Sequence, residues 1–594
     1  MSEKRKKRLI GKGVVVSTQL KKVATGIHGL DTVLNGGLPA GRATLLCGGP
    51  GTGKSVLALE FLYRGALMGE PGIFITFEEG ADVVRQNAAT LGWDLAALER
   101  SGKLFIFEAS LNRESVNTGD FDLSGLLSII AGKSRRMKAQ RLVLDALDVL
   151  LRVYRDPYRE QDELYALHDW LSNLGVASII TAKMYENGHS TGHATGHYEF
   201  LHYVADCVIN LEQRVQDRVT TRLLLVIKYR GSDFVRNETP FIIIDDGVKF
   251  TPLSSISLNF SPQPGTVSIG HAGMDAIMGG PLRRGSCIIV SGSAGAGKTT
   301  IACSFSRAAC AHKERVLFVS FEESAASLID CMLSPGIDLR PAVKSGGLKI
   351  LSFLPESAGA NVALYRILQA IDEFKPDHLV IDAVTSSLRM GAEHTAFDFA
   401  IRLVSFCKEM GITALLTAQL EGLGVADISG LNISSLADTV LALRYIDVGG
   451  EMNRMLLVIK ARGRRHSNQY REFIITSQGV GIADVYVGEG GVLTGSARQE
   501  QEMKEHIAVS RRRRTIKETE AVLAVKKAVR KASDKALEAE ILKKEFELET
   551  LNAEESLHLS GRETRAVLRG RELVRGPRKV KQPPAPAKKG GLQP

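Results

Sequence analysis

No apolar run in the chain approaches the roughly 20 residues that a membrane-spanning helix needs. The basic start, MSEKRKKRLI, is followed by neither an apolar stretch nor a small-residue cleavage site. Neither a membrane partner nor a secretory signal is expected. Cysteine is scarce: seven in 594 residues, odd in number, with no CxxC pair. That argues against disulfides and structural zinc, and it suits buried thiols in a reducing cytoplasm, the expected location. Glycine and proline are absent from 500–556. The stretch is rich in Ala, Glu, Lys and Leu, with apolar residues at spacings of three and four. A long helix is expected there, either a coiled coil or a solvent-exposed charged helix.

A chain of 594 residues is too long for a single core, and the size prior gives about three to four domains. The hydrophobic share of 44% and charged share of 24% are those of a soluble globular protein. The net charge of +10 is concentrated at the ends. Residues 1–13 carry +5 and residues 498–594 carry +9, which leaves 14–497 at −4. The body is mildly acidic and lacks a basic loop bearing aromatics, so nucleic acid is not an expected partner.

The body is an internal repeat. GIHGLDTVLNGGLPAGRATLLCGGPGTGKS begins at Gly26, and GHAGMDAIMGGPLRRGSCIIVSGSAGAGKT begins at Gly270. IFITFEEG (73–80) matches LFVSFEES (317–324), RLVLDALDVL (141–150) matches HLVIDAVTSS (378–387), and LLLVIKYRGS (223–232) matches LLVIKARGRR (456–465). SPQPG (261–265) reads as the link. In the first copy, strands are expected near 43–47, 73–77, 104–107, 141–145, 176–181, 206–211 and 222–228. Their Val, Ile and Leu runs lack polar alternation, which suits strands buried on both faces. Alternation with helical patterns predicts an α/β fold with a mainly parallel sheet, finished by an antiparallel hairpin.

GGPGTGKS (48–55) and GSAGAGKT (292–299) both satisfy GxxxxGK[ST], each between an apolar strand and a helical pattern. Gly49, Gly51, Thr52 and Gly53, like Gly295, Ala296 and Gly297, would turn backbone N–H groups toward phosphate oxygens. Lys54 and Lys298 would meet the β- and γ-phosphates, and Ser55 and Thr299 would hold Mg²⁺. The expected ligands are ATP and Mg²⁺. Asp145 and Asp382 end apolar strands, where an acid is costly unless it is paired or orients a metal shell. Glu78–Glu79 and Glu322–Glu323 also follow strands. They lie between phosphate loop and strand-end aspartate in both copies, which favours a role in polarising an attacking oxygen over a solvated turn. Glu322 is also a candidate metal neighbour.

Lys228/Arg230 and Lys460/Arg462 stand two apart on strands and so face one side. Such a fork of cations suits a γ-phosphate. If they lie far from their own phosphate loop, they must serve a neighbouring subunit. A strand edge blunted by charge is the other reading. His189, His193 and His197 are four apart, but glycines at 188, 192 and 196 break any helix that would align them. A loop is expected there, not a metal site.

Over residues 20–490 the chain resembles the KaiC family of RecA-type ATPases with two fused domains. The resemblance rests on the phosphate loops and on TGIHGLD, TFEE, GWDL, GKLFIFEAS, PESAG, FKPDHLVID, GEMNRMLLVIKARG and REFIIT, in order. It implies tandem RecA-like P-loop domains at 17–255 and 256–495, after a basic disordered N-terminus at 1–16. A helical tail at 496–560 and a disordered basic, Pro-rich end at 561–594 complete the chain. It further implies a homohexamer of stacked rings with ATP at subunit interfaces. Glu78 and Glu322 become the leading catalytic carboxylates, with Glu79 and Glu323 beside them. Lys228, Arg230, Lys460, Arg462 and Arg454 would act in trans on the neighbour's ATP, and Asp245 would join the ATP-binding residues. The first ring would hydrolyse ATP. The second would phosphorylate a hydroxyl pair of the adjacent subunit, which NISSLADT matches with Ser434 and Ser435. Pro335, Arg464, Arg465 and Phe234 depart from the family's clock member.

The expectation is an ATPase and serine/threonine autokinase. Two alternatives stand beside it: a nucleotide-switched hexameric scaffold whose tail presents a protein partner, and a DNA-acting RecA-like motor.

Overall fold

A computed structural model describes residues 20–109, 123–151, 157–183, 205–216, 219–250, 263–357, 359–391, 393–419, 433–448, 450–488, 491–530 and 536–568. The chain divides into two compact units, Met1–Phe260 with Leu354–Glu373 and Ser386–Glu409, and Ser261–Phe353 with Phe374–Thr385 and Met410–Pro594.

The first unit holds a nine-stranded sheet. Its strands are β1 (Ala43–Gly48), β2 (Gly72–Thr76), β3 (Leu104–Glu108), β4 (Arg141–Asp145), β5 (Ala177–Lys183), β6 (Cys207–Gln216), β7 (Val219–Tyr229), β8 (Thr239–Ile244) and β9 (Gly247–Phe250). The spatial order is β9-β8-β7-β6-β1-β5-β4-β2-β3. Strands β1 to β6 pair in parallel, and β6 to β9 continue as antiparallel neighbours. All seven expected strands are present. β8 and β9 extend the sheet beyond them, because FIIID and GVKF form a hairpin whose strands are short.

The second unit repeats this order. Its strands are β10 (Cys287–Gly292), β11 (Val316–Ser320), β12 (Leu348–Ser352), β13 (His378–Asp382), β14 (Thr413–Gln419), β15 (Thr439–Val448), β16 (Glu451–Ala461), β17 (Arg471–Thr476) and β18 (Gly479–Asp484). They lie as β12-β11-β13-β14-β10-β15-β16-β17-β18. Every residue of β1 and of β10 is buried, as continuous apolar runs with helices over both faces require. Helices α1 (Lys54–Leu67) and α2 (Lys298–Ala311) follow these two strands directly. The repeated GxxGxD of the openings is structural. Asp31 accepts from Thr25 N (2.7 Å), and Asp275 accepts from Ile269 N (3.1 Å), which fixes the turn before each sheet.

The copies diverge at the buried charge that opens β4. Arg141 opens β4, is fully buried, and donates to Glu70 (2.8 Å) and to the carbonyls of Phe61 and Ala24 (2.6 Å each). Its counterpart at the head of β13 is His378, whose Nε2 meets Glu314 Oε2 at 2.6 Å, with Arg284 on the other oxygen. Burial pushes the His378 imidazole below its ordinary value, against the pull of Glu314. His378 Nδ1 has no hydrogen-bond partner, so a proton there would be a buried donor without an acceptor. Burial alone would raise Glu314, but hydrogen bonds from His378 and Arg284 outweigh it and hold the carboxyl below its ordinary value. Both shifts have one sign. The unfolded chain binds these protons more readily, so the stability they confer is present at neutral pH and is lost in acid. The loss starts as pH falls through the ordinary histidine range, near 6.5, and continues through Glu314. Protection of β11 and β13 against hydrogen exchange, corrected for intrinsic rate, is expected to fall below pH 6.5 by up to about 1.4 kcal/mol per pH unit for each proton, while that of β4 holds.

The tail is helical, as expected, but not as a single helix. Helices α3 (Gly495–Arg530) and α4 (Ala536–Leu568) pack antiparallel. Lys526 pairs with Glu540, Lys527 with Glu545 (2.7 Å) and Arg513 with Glu555 (3.2 Å), while Ile516, Leu523 and Ile541 are buried. Arg498 roots the hairpin by donating to Asp484 O (3.0 Å).

Candidate functional site

Each phosphate loop leaves the C-terminal end of its central strand and enters a helix. Gly53 and Gly297 have φ of 99° and 104°. A Cβ on Gly53 would lie 2.7 Å from Ile243 Cδ1, and one on Gly297 would lie 2.7 Å from Phe473 Cε1. Both the left-handed backbone and the close approach demand glycine. Gly51 and Gly295 share a φ of 73°. Thr52 Oγ1 donates to Gly49 O (2.9 Å), while Ala296 is buried at the matching place. Lys54 Nζ donates to Gly49 O (2.7 Å) and Lys298 Nζ to Ser293 O (2.9 Å), so each lysine lies along its own loop. Burial lowers both ammonium groups, partly offset by Asp145 and Asp382. Asp245 lies in the exposed β8–β9 turn, two residues beyond the Ile243 that touches Gly53.

The hydroxyl and the strand-end acid meet in both copies. Ser55 Oγ donates to Asp145 Oδ1 (3.2 Å), and Thr299 Oγ1 donates to Asp382 Oδ2 (2.8 Å). A second hydroxyl completes each pair: Thr181 donates to Asp145 (2.6 Å), and Thr417 to Asp382. Burial pushes both carboxyls above their ordinary range, only partly offset by these hydroxyls. A carboxylate held at that cost suits an approaching cation. Among the described residues no three His, Cys, Asp or Glu side chains gather to hold a metal alone. The hydroxyl–carboxylate pair instead suits a hard cation that takes its other ligands from phosphate and water.

Glu78 and Glu322 lie within electrostatic range of Asp145 and Asp382. Glu78 is held by Lys183, whose Nζ lies 2.6 and 2.8 Å from its two oxygens. Glu79 and Glu323 turn to the helix that follows, accepting from Asn87 Nδ2 (3.4 Å) and Ser327 Oγ (3.5 Å). Sequence reading missed Lys183, Thr181 and Thr417. The threonines were visible as TA in IITAK and LLTAQ, at one place in both copies. Lys183 had no such signal, because the second copy has Gln419 there.

The cation forks stand at the other end of the sheet. Lys228 pairs with Val208, beside Cys207, which pairs with Thr44 near the start of β1. Lys460 pairs with Val440, itself opposite Ile289 near the start of β10. The phosphate loops leave the far ends, about 10 Å and more along the strands. Lys228 Nζ donates to Ala205 O (2.7 Å), and Arg230 lies 4.0 Å from Asp206. Lys460 Nζ donates to Ser434 O (2.9 Å), and Arg462 to Ser435 O (3.4 Å) and toward Asp438 (3.6 Å). Ser434 and Ser435 form a 3₁₀ turn with buried Ile433. Ser435 is exposed and Ser434 half-buried.

Arg454 does not share this end. Its Nε donates to Gly295 O (3.2 Å) of its own phosphate loop and its guanidinium lies over Tyr445, because two further pairs along β16 reach the loop's level. Arg464 donates to Gly280 O (3.1 Å), and Phe234 packs into the first core. His189, His193 and His197 lie outside the described residues.

These features meet in known proteins. The KaiC ATPase family model matches residues 23–255 and 267–486. The circadian clock protein KaiC2 of Synechocystis sp. is 36% identical over 574 residues, 96% of this chain and 99% of that protein. The circadian clock oscillator protein KaiC of Synechococcus elongatus is 34% identical over 481 residues, 80% of this chain and 92% of its own length. KaiC3 of Synechocystis sp. is 34% identical, covering 80% of this chain and 94% of its own. At its length of 574 residues the match with KaiC2 takes in most of the helical tail. With two phosphate loops, two hydroxyl–aspartate pairs and one topology used twice, the chain belongs to the KaiC family of ATPases.

Proposed function

We propose that this protein binds Mg²⁺-ATP at both phosphate loops, hydrolyses it at the first and uses it at the second to phosphorylate Ser434 or Ser435 of a neighbouring subunit in a hexamer. The observation that carries the reading is the clamp on the acceptor segment. Lys460 and Arg462 hold the carbonyls of Ser434 and Ser435, at the sheet end opposite their own phosphate loop. A fork and two hydroxyls placed together, out of reach of their own ATP, suit an ATP presented by another subunit.

The chemistry follows from the residues. Thr299 and Asp382 would hold the ion, whose contribution when bound is to neutralise charge on the phosphates. Lys298 would bind the β- and γ-phosphates. Glu322 would accept the serine proton as the oxygen attacks phosphorus, and ADP would leave. Lys460 and Arg462 would balance charge on the transferring group. At the first site Ser55, Asp145, Lys54 and Glu78 would do the same for water, with Lys228 and Arg230 from the neighbour.

Incubation with Mg²⁺-ATP followed by phosphopeptide mapping tests this. Phosphate is expected on the peptide holding Ser434–Ser435 and is lost in the Ser434→Ala/Ser435→Ala double variant. An unmodified peptide after ATP turnover refutes the kinase reading.

The α3–α4 hairpin supports a further role in binding a protein partner. Val522, Val525, Leu542 and Phe546 are exposed near one level of it. Removing residues 498–594 is expected to abolish partner binding and to leave the ring intact, as sizing of the truncated chain with ATP would show.

A further inference from the structure

The duplication pairs Lys183 with Gln419. Lys183 stands opposite Gly48 at the end of β5, and Gln419 opposite Gly292 at the end of β14. Their backbones are held alike: Lys183 N donates to Asp148 Oδ1 (3.2 Å) and Gln419 N to Thr385 Oγ1 (3.0 Å). Their side chains are not alike. Lys183 Nζ binds both oxygens of Glu78, whereas glutamine offers no charge to Glu322. Lys183 also acts on Lys54, adding to the burial that lowers that ammonium. Two lysines, Glu78 and the Ser55–Asp145 pair therefore act on one another at the end of β1, where the phosphate loop directs a γ-phosphate. Two cations held that close call for a shared anion.

We propose that Lys183 is a γ-phosphate ligand of the first site and the positioning residue for Glu78, at a place where the second site has Gln419. Without a γ-phosphate the ammonium rests on Glu78. ATP draws it onto the γ-phosphate, which frees a Glu78 oxygen for the attacking water. The water oxygen then bonds to phosphorus, the bond to the ADP oxygen breaks, and the water proton passes to Glu78. ADP has no group to compete, so Lys183 stays on Glu78. The first site thus tells ATP from ADP by a contact of its own. The inference rests on reading that site as an ATP-hydrolysing one.

The test uses the full chain carrying Lys298→Ala, which silences the second site, with Mg²⁺ and fluorescent forms of ADP and of a non-hydrolysable ATP analogue. Lys183→Gln is expected to weaken the ATP analogue by roughly 10- to 100-fold, the worth of one charge-assisted hydrogen bond, and to leave ADP unchanged. Lys183→Arg should keep most of the preference for ATP. Glu78→Gln should tighten the ATP analogue, and do so less when Lys183→Gln is also present, because the two side chains are coupled. Equal losses for both nucleotides, or none for either, would overturn the role of Lys183. Failure of the Lys298→Ala chain to bind either nucleotide would instead overturn the reading of the first site, and the proposal with it.

Discussion

Replacing Lys460 and Arg462 together by alanine is expected to lower phosphoryl transfer to Ser434 and Ser435 by about a thousandfold or more, the scale of a trans cation in phosphoryl transfer. The pair sits at the head of the parallel strands, so its removal leaves the phosphate loop of the same chain untouched. ATP affinity of the variant's own Lys298 site should therefore change far less when a wild-type neighbour supplies the fork. Two losses combine in the rate: charge on the transferring phosphoryl, and the grip on the two serine carbonyls. Arg462→Ala alone should cost less, since its contact with Ser435 is the longer at 3.4 Å. Lys228→Ala with Arg230→Ala should slow hydrolysis at the first site and spare phosphorylation. Radiolabel incorporation beside phosphate release separates these effects.

The second large effect is expected at Glu322. Its replacement by glutamine removes the proposed general base and should slow transfer by about 10²- to 10⁴-fold. The side chain is exposed, so folding should be unchanged. Glu323→Gln should do much less, because that carboxylate turns to Ser327. A comparable loss from both would show that the carboxylates act as a pair.

How far the sequence carried the account differs by feature. The phosphate loops, Asp145 and Asp382 were legible because each sits at one end of a short apolar run, and the run dictates a buried strand with its end at the edge of the sheet. Repetition made chance matches improbable. The seven strands of the first copy were legible for the same reason. The forks were legible as chemistry but not as position. Spacing puts Lys460 and Arg462 on one side of a strand, yet only the antiparallel pairing of β15 with β16 shows that they point to the head of the sheet. The same hairpin carries Arg454 the other way, to its own loop. Lys183 was missed because its meaning depends on register across two strands far apart in sequence, and the repeat comparison hides it where the copies differ. The tail read as a long helix, exposed or in a coiled coil, because 3–4 spacing continues through Ala532, Ala536 and Ala539, whereas the charged pairs that fold α3 onto α4 become visible only in three dimensions.

The central claim, transfer between subunits, is tested most directly by mixing two inactive chains under conditions that let subunits exchange. One carries Glu322→Gln and keeps its serines; the other carries Ser434→Ala with Ser435→Ala and keeps its Glu322. Neither alone should become phosphorylated. After mixing with Mg²⁺-ATP, phosphate is expected at Ser434–Ser435 of the Glu322→Gln chain. Absence of phosphate in mixed hexamers, from a wild type that does phosphorylate itself, would contradict the account and place the transfer within one subunit.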